Sequence, residues 1–186
     1  MPSTERGATL LALARKAIAQ SLNVECADVD TPAWLQEPGA CFVTLTQNEV
    51  LRGCIGSLEA HRPLGEDLRA NAIAAALHDS RFPPLTPSEL LRTRIEVSVL
   101  SPMQALTFAS EAQAIAQLRP QVDGVVLEYG SHRSTFLPQV WEQLPSPKEF
   151  MAHLKRKAGL PATFWAEGVR LQRYTVEKWK EGGQAG

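Results

Sequence analysis

Residues 40–58 read ACFVTLTQNEVLRGCIGSL, and the way this stretch pairs with itself decides what kind of sheet the chain builds. From Ala40 to Thr46 the residues are rich in Phe, Val and Thr and alternate, with Val43 and Leu45 on one face and Phe42, Thr44 and Thr46 on the other. Residues 51–58 form the return strand. The polar Gln47-Asn48-Glu49 between them is a turn, so the pair is expected to be an antiparallel hairpin. Its second arm carries Leu51-Arg-Gly-Cys-Ile-Gly56, one cysteine between two glycines with an arginine two residues before it.

Working outward, Leu10, Leu11, Ala14, Ala17, Ile18 and Leu22 recur at three and four residues and predict an amphipathic helix over 4–22. Residues 23–39 have neither period and contain Pro32, Pro38 and Gly39, which predicts a loop anchored by Trp34 and Leu35. Beyond the hairpin, Pro63 opens a helix to His78 with Leu64, Leu68, Ala72, Ile73, Ala76 and Leu77 on one stripe. Ser80-Arg-Phe-Pro-Pro84 stops it, because each proline disfavours helix in the residue before it. A short helix is expected at 87–91, followed by a half-buried strand at 94–100 that sends Ile95, Val97 and Val99 one way and Glu96 and Ser98 the other.

In the second half, 109–118 reads as helix, and 125–129 with 133–137 as a second hairpin. Ser146-Pro-Lys-Glu149 marks a helix start. Lys155, Arg156 and Lys157 fill its last turn, and Gly159 and Pro161 end it. One final strand is expected at 169–176 and a flexible polar tail at 181–186. Two hairpins and no regular strand-helix-strand run give an α+β class, mostly antiparallel sheet flanked by helices. The expected organisation is a single domain over 1–180 with room for two sub-lobes.

Nineteen Lys and Arg against twenty Asp and Glu leave a formal net charge of −1, which removes the electrostatic footprint of a general nucleic-acid binder. No apolar run approaches the ~20 residues that span a bilayer, and the first residues lack a leader pattern, so the expected location is cytoplasmic, with no membrane contact. Cys26, Cys41 and Cys54 are too widely spaced for a Cys-x-x-Cys metal ribbon or a disulfide framework. Reduced thiols and no metal site are expected. There is no phosphate loop, dinucleotide turn, His-Glu-x-x-His or Gly-x-Ser-x-Gly.

In a regular strand Arg52 and Cys54 share a face at ~7 Å. A unit charge at that distance stabilises a thiolate by about 2 kcal/mol at an effective dielectric of ~20, whereas apolar burial acts the other way. Cys54 is therefore either a nucleophile or a small buried hydrophobe. Gly53 and Gly56 weaken a strand and suggest a bulge or the close approach of another segment or ligand, and they line either a backbone-walled pocket or a tight strand crossing. His61, just past the strand, is a proton carrier or a solvated loop residue. Arg81, in the loop with Asp79 and Phe82, and Glu96, on the polar side of its strand, are candidates for lining a cleft.

Together, residues 51–56 (LRGCIG), 79–84 (DSRFPP), 95–101 (IEVSVLS) and 135–141 (TFLPQVW) resemble the AMMECR domain family, whose bacterial and archaeal members are called AmmeMemoRadiSam system protein A. The resemblance runs from the first helix to about Trp179. It implies an α+β fold of two unequal lobes with a cleft between them and a site at the Arg-Gly-Cys-Ile-Gly signature. It also implies association with a Memo-like protein and a radical S-adenosylmethionine protein, while leaving the reaction and any cofactor unknown. The resulting expectation is a cysteine-dependent enzyme or enzyme subunit acting on a small metabolite or a modified side chain. Cys54, Arg52 and His61 would do the chemistry, and Gly53, Gly56, Arg81 and Glu96 would contact substrate. The alternative is a noncatalytic interaction module; a nucleic-acid binder is disfavoured by charge.

Overall fold

A computed structural model of the chain describes residues 2–182. The fold is α+β, built on two four-stranded sheets. It divides into two compact units, one holding the chain up to Leu100 with the segment from Glu177, the other Ser101–Val176.

In the first unit the sheet order is β2-β1-β3-β8, with β1 at Cys41–Gln47, β2 at Val50–Gly56, β3 at Arg94–Leu100 and β8 at Val176–Lys180. Asn48 and Glu49 form the turn between β1 and β2, both in the left-handed region (φ 48° and 63°). Positive φ at both central residues is the backbone twist that suits a two-residue hairpin. Helices α1 (Ser3–Ser21) and α2 (Leu64–Leu77) bury Leu10, Leu13, Ile18, Leu68 and Ala72 against Val43, Leu45, Ile95 and Val97. Two polar residues of α2 are buried as well. Asp67 accepts from the Cys41 backbone N–H at 3.0 Å, the Ser57 hydroxyl at 2.6 Å and Arg62 Nε at 2.8 Å. Asn71 donates to the Cys41 carbonyl at 3.0 Å. They fasten the start of β1 to the helix and satisfy backbone groups that would otherwise be buried unpaired.

The hairpin is not regular. Leu45 pairs with Gly53 but Thr46 pairs with Leu51, so Arg52 is the extra residue of a β-bulge. With an unbroken ladder from the same turn, Thr44 would stand opposite Gly53, and Cys54 would join Val43 on the helix-facing side. The bulge shifts the register by one and turns each later side chain over. Gly53 and Ile55 therefore lie opposite Leu45 and Val43, and Cys54 lies opposite Thr44 on the other face.

In the second unit the order is β4-β7-β5-β6, with β4 at Gln104–Ala105, β5 at Gly124–Tyr129, β6 at His132–Phe136 and β7 at Arg170–Tyr174. Helices α3 (Glu111–Ala116) and α4 (Pro147–Lys157) cover its core, where Trp141 stacks on Phe150 at 3.8 Å. Ser146 accepts from the Glu149 backbone N–H as the helix cap, and Gly159 has φ 84°, as the sequence leads one to expect.

Two expectations need correction. The single strand over 169–176 is two strands, β7 and β8, which part at Thr175 and enter different sheets. Alternation of side chains is the same on both sides of such a crossing, so the pattern does not reveal it. The tail also does not loosen at Glu181. Its backbone N–H donates to the Ile95 carbonyl at 2.9 Å, and its carboxylate takes Arg15 at 2.6 Å and the Ile95 N–H at 3.0 Å. Residues 183–186 of the expected flexible tail lie outside the described residues.

Candidate functional site

β2 is an edge strand, so its outward N–H and C=O groups need partners from elsewhere. At Cys54 the loop after α2 supplies them. Asp79 Oδ2 accepts from the Cys54 N–H at 3.0 Å, and Arg81 Nη2 donates to the Cys54 carbonyl at 3.4 Å. Asp79 is itself held by Arg81, with Nε at 3.0 Å from Oδ1 and Nη2 at 2.7 Å from Oδ2. Arg81 and then the Cys54 N–H hold the Asp79 carboxyl well below the usual carboxylate range. The two motifs separated in sequence, Arg-Gly-Cys-Ile-Gly and Asp-Ser-Arg-Phe-Pro-Pro, thus meet at one residue.

Because the Cys54 N–H points away from β1, Cys54 and Thr44 form a non-hydrogen-bonded pair, the type whose side chains come closest. Cys54 Sγ lies 3.3 Å from Thr44 Oγ1. Thr44 stands opposite Glu96 on β3, so Cys54, Thr44 and Glu96 form one row across three strands on the face away from α1 and α2. All three are half-buried. Above that row on the same face, Gly56, Phe42 and Ser98 make a second one.

The rest of the signature is engaged in architecture. A Cβ on Gly53 would lie 2.2 Å from the Ala75 carbonyl oxygen, and one on Gly56 would lie 2.2 Å from the Phe42 ring. Gly53 therefore permits the close crossing of β2 and α2, and Gly56 makes room for the ring of its cross-strand partner Phe42. Arg52, expected to stand beside the thiol, extends from the bulge to Glu89 instead, with Nε and Nη2 each 3.3 Å from a carboxylate oxygen. Burial opposes charge on Glu89, but Thr86, Arg52 and Gln47 outweigh it and bring its carboxyl down to about 2. His61 is exposed and lies 2.7 Å from Glu59. Arg81, with a side chain 55% exposed, is the arginine that reaches Cys54.

The three thiols differ. Cys26 is exposed, Cys54 is half-buried, and Cys41 is fully buried, where desolvation and the Asp67 charge push its thiol far up. Among the described residues no three of His, Cys, Asp and Glu converge as a metal would require, and no helix is long and apolar enough to cross a membrane. Thr44 and Glu89 are site-forming residues that sequence reasoning misses. The bulge hides the first, and the second signals itself only as the third residue of a Thr86 capping box.

The AMMECR1 family model matches residues 11–179, a span that contains every residue of this site. The chain belongs to the AMMECR1 family. A family member from Methanothermobacter thermautotrophicus is 38% identical over 191 residues, covering 97% of each chain. One from Methanocaldococcus jannaschii is 38% identical over 158 residues, covering 81% of this chain and 77% of the relative. The crystal structure of an uncharacterized protein from Pyrococcus horikoshii is similar with a TM-score of 0.81 at 35% identity, covering 95% of this chain and 92% of that one. The Pyrococcus structure shares the fold, and none of these names assigns a reaction.

Proposed function

We propose that the outward face of the first sheet at Cys54 is the working surface, and that the protein is a cysteine-dependent enzyme or enzyme subunit acting on a small metabolite or a modified side chain. One observation carries this reading. The bulge at Arg52 takes Cys54 off the helix-facing side and sets it beside Thr44 and Glu96, while Gly53, Gly56 and Arg52 each serve the packing that holds it there. A cysteine needed only as a small core residue would need no such device.

In this reading Cys54 is the nucleophile or ligand-contacting thiol, Arg81 sets a positive group at the strand edge, and Glu96 lines the far end of the row. Arg52 positions the bulge, and His61 belongs to the loop. The protein would work in the cytoplasm beside a Memo-like protein and a radical S-adenosylmethionine protein, the association implied by the family resemblance. The test is genetic and chemical. A strain carrying Cys54→Ser in place of the natural gene is expected to reproduce the metabolite profile of the deletion strain, while Cys26→Ser matches wild type. A Cys54→Ser profile equal to wild type, beside a deletion that differs, would overturn the reading.

The second reading is a noncatalytic interaction module. It is favoured by the exposed Val50 and Leu51 at the start of edge strand β2, 68% and 39% accessible. It expects Cys54→Ser to be silent and Val50→Asp to give the deletion profile.

A further inference from the structure

Among the described residues of the first unit, Arg6, Arg15, Arg52 and Arg69 are the half-buried arginines. Three have a partner for their charge. Arg15 takes Glu181, Arg52 takes Glu89, and Arg6 lies over the Trp34 and Trp179 rings, its guanidinium carbon 5.3 and 5.9 Å from their centroids. Arg69, on α2, has no hydrogen bond, ion pair or ring contact among the described residues. None of its nitrogens is sealed from solvent, whereas Arg6 Nε and Arg52 Nη1 are.

Arg69 lines a cavity of about 210 Å³ formed by α1, α2 and the loop over 22–32. The polar part of its wall is Arg69, Lys16, Gln20 and Thr31, and Leu13 and Val29 are among the apolar residues that complete it. Each of the four polar side chains can donate a hydrogen bond, and no carboxylate is on the wall. The acids on the surrounding segments, Glu25, Asp28, Asp30 and Glu66, are all exposed. Of these only Asp28 is paired with one of the two cations, its Oδ1 2.8 Å from Lys16 Nζ. The Lys16 side chain is 20% exposed and that of Asp28 wholly so, and an ion pair to a fully exposed carboxylate is weak enough for Lys16 to change partner.

An arginine and a lysine on one concave wall have complementary uses: the guanidinium offers paired N–H groups to an oxyanion, and the ammonium a point charge. A carboxylate would match one of the two cations. A phosphate group, with three terminal oxygens and a charge near −2 above its second ionisation at about pH 6, matches both. The space is smaller than the roughly 300–1,000 Å³ of pockets for drug-sized ligands, so it suits a phosphate with few further atoms. We infer that this cavity binds a phosphate group, with Arg69 and Lys16 as its cationic contacts and Gln20 and Thr31 as neutral donors. The site lies on the helix side of the first sheet, and Cys54 is on the other face, so the inference is independent of the reading of Cys54. The same chemistry is found on inorganic phosphate and on a small phosphomonoester.

The test titrates inorganic phosphate, methyl phosphate and acetate into the isotope-labelled full chain at about pH 8, where phosphate is a dianion. Chloride holds the ionic strength constant, and the backbone amides are followed by NMR. At least one phosphate probe is expected to shift the amides of residues 16–20, 29–31 and 69 together and to saturate with a dissociation constant below about 10 mM. Arg69→Gln is expected to weaken that binding by about tenfold or more with the rest of the spectrum as in wild type, and Arg156→Gln, on α4, to leave it unchanged. Asp28→Asn releases Lys16 and is expected to tighten it about two- to fivefold, a gain that misfolding cannot produce. The inference is overturned if neither phosphate probe saturates, if acetate binds as tightly as phosphate, or if the shifts are confined to other residues. It is equally overturned by an affinity that Arg69→Gln leaves within about twofold or that Asp28→Asn fails to raise. Tighter binding of inorganic phosphate than of methyl phosphate assigns the free ion, and equal or tighter binding of methyl phosphate assigns a phosphomonoester.

Discussion

At Arg52 one extra residue decides which way a cysteine faces. The composition of β1 and β2, their turn and their antiparallel pairing are all legible from alternation and polarity. The bulge is signalled only by the glycines at 53 and 56; which residue is the extra one, and so which way Cys54 faces, is not legible in Leu-Arg-Gly-Cys. The sequence therefore singles out Cys54 as the candidate but misassigns its neighbour: the strand spacing nominates Arg52, whereas Arg81, brought by Asp79 from a loop 25 residues on, is the arginine at Cys54. Gly53 is where the crossing of β2 over α2 is tightest. Gly53→Ala must displace the Ala75 backbone and is expected to cost about 1–3 kcal/mol, read from urea unfolding. Glu89 supplies an acid dependence. Its folded value of about 2 lies below the ordinary 4.5, so its contribution to stability is fully present above about pH 4.5 and fades as pH falls through about 2. Glu89→Gln should flatten the stability–pH curve in that interval, and an unchanged slope would show that the Arg52–Glu89 bond is not maintained in solution.

At the scale of elements, sequence patterns find each helix and strand where local chemistry acts alone. The stripe of α2, the Ser146 cap of α4 and the alternation of β3 each leave a periodic or capping signature. What they hide is polar burial. Asp67 reads as an ordinary first-turn acid, and nothing in the sequence marks Asn71, four residues on along the inward stripe of α2, until β1 is seen to need both. The β1–β2 turn leaves room for improvement, since Glu49 holds φ 63° and a glycine would hold it without side-chain strain. Glu49→Gly is expected to stabilise the protein by about 0.5–1 kcal/mol, seen as a higher thermal midpoint. A lower midpoint would mean that the turn differs from the two-residue form described.

At the scale of the whole molecule, the class is legible, but the points at which the chain passes from one sheet to the other are not. Residues 94–106 and 169–180 each run from one sheet to the other; Ser101-Pro102 interrupts the first run, while the alternation of the second gives no sign of its crossing. The crossings are tied side by side, with the Ser101 N–H on the Thr175 carbonyl at 2.9 Å and the Thr175 N–H on Ser101 Oγ at 2.8 Å. The first unit is then closed by the last described residues, because Glu181 joins α1 to β3 through Arg15 and the Ile95 N–H. Glu181→Ala is expected to cost about 1–3 kcal/mol in urea unfolding, the range for a buried or half-buried charged hydrogen bond, whereas a freely moving tail would make it neutral. The central claim is that the molecule is folded to present the Cys54 thiol outward. Residue-resolved alkylation of the native chain with iodoacetamide tests it most directly. Cys54 is predicted to be modified without denaturant, while Cys41 is modified only on unfolding; a Cys54 that stays as inert as Cys41 until the chain unfolds would contradict the account.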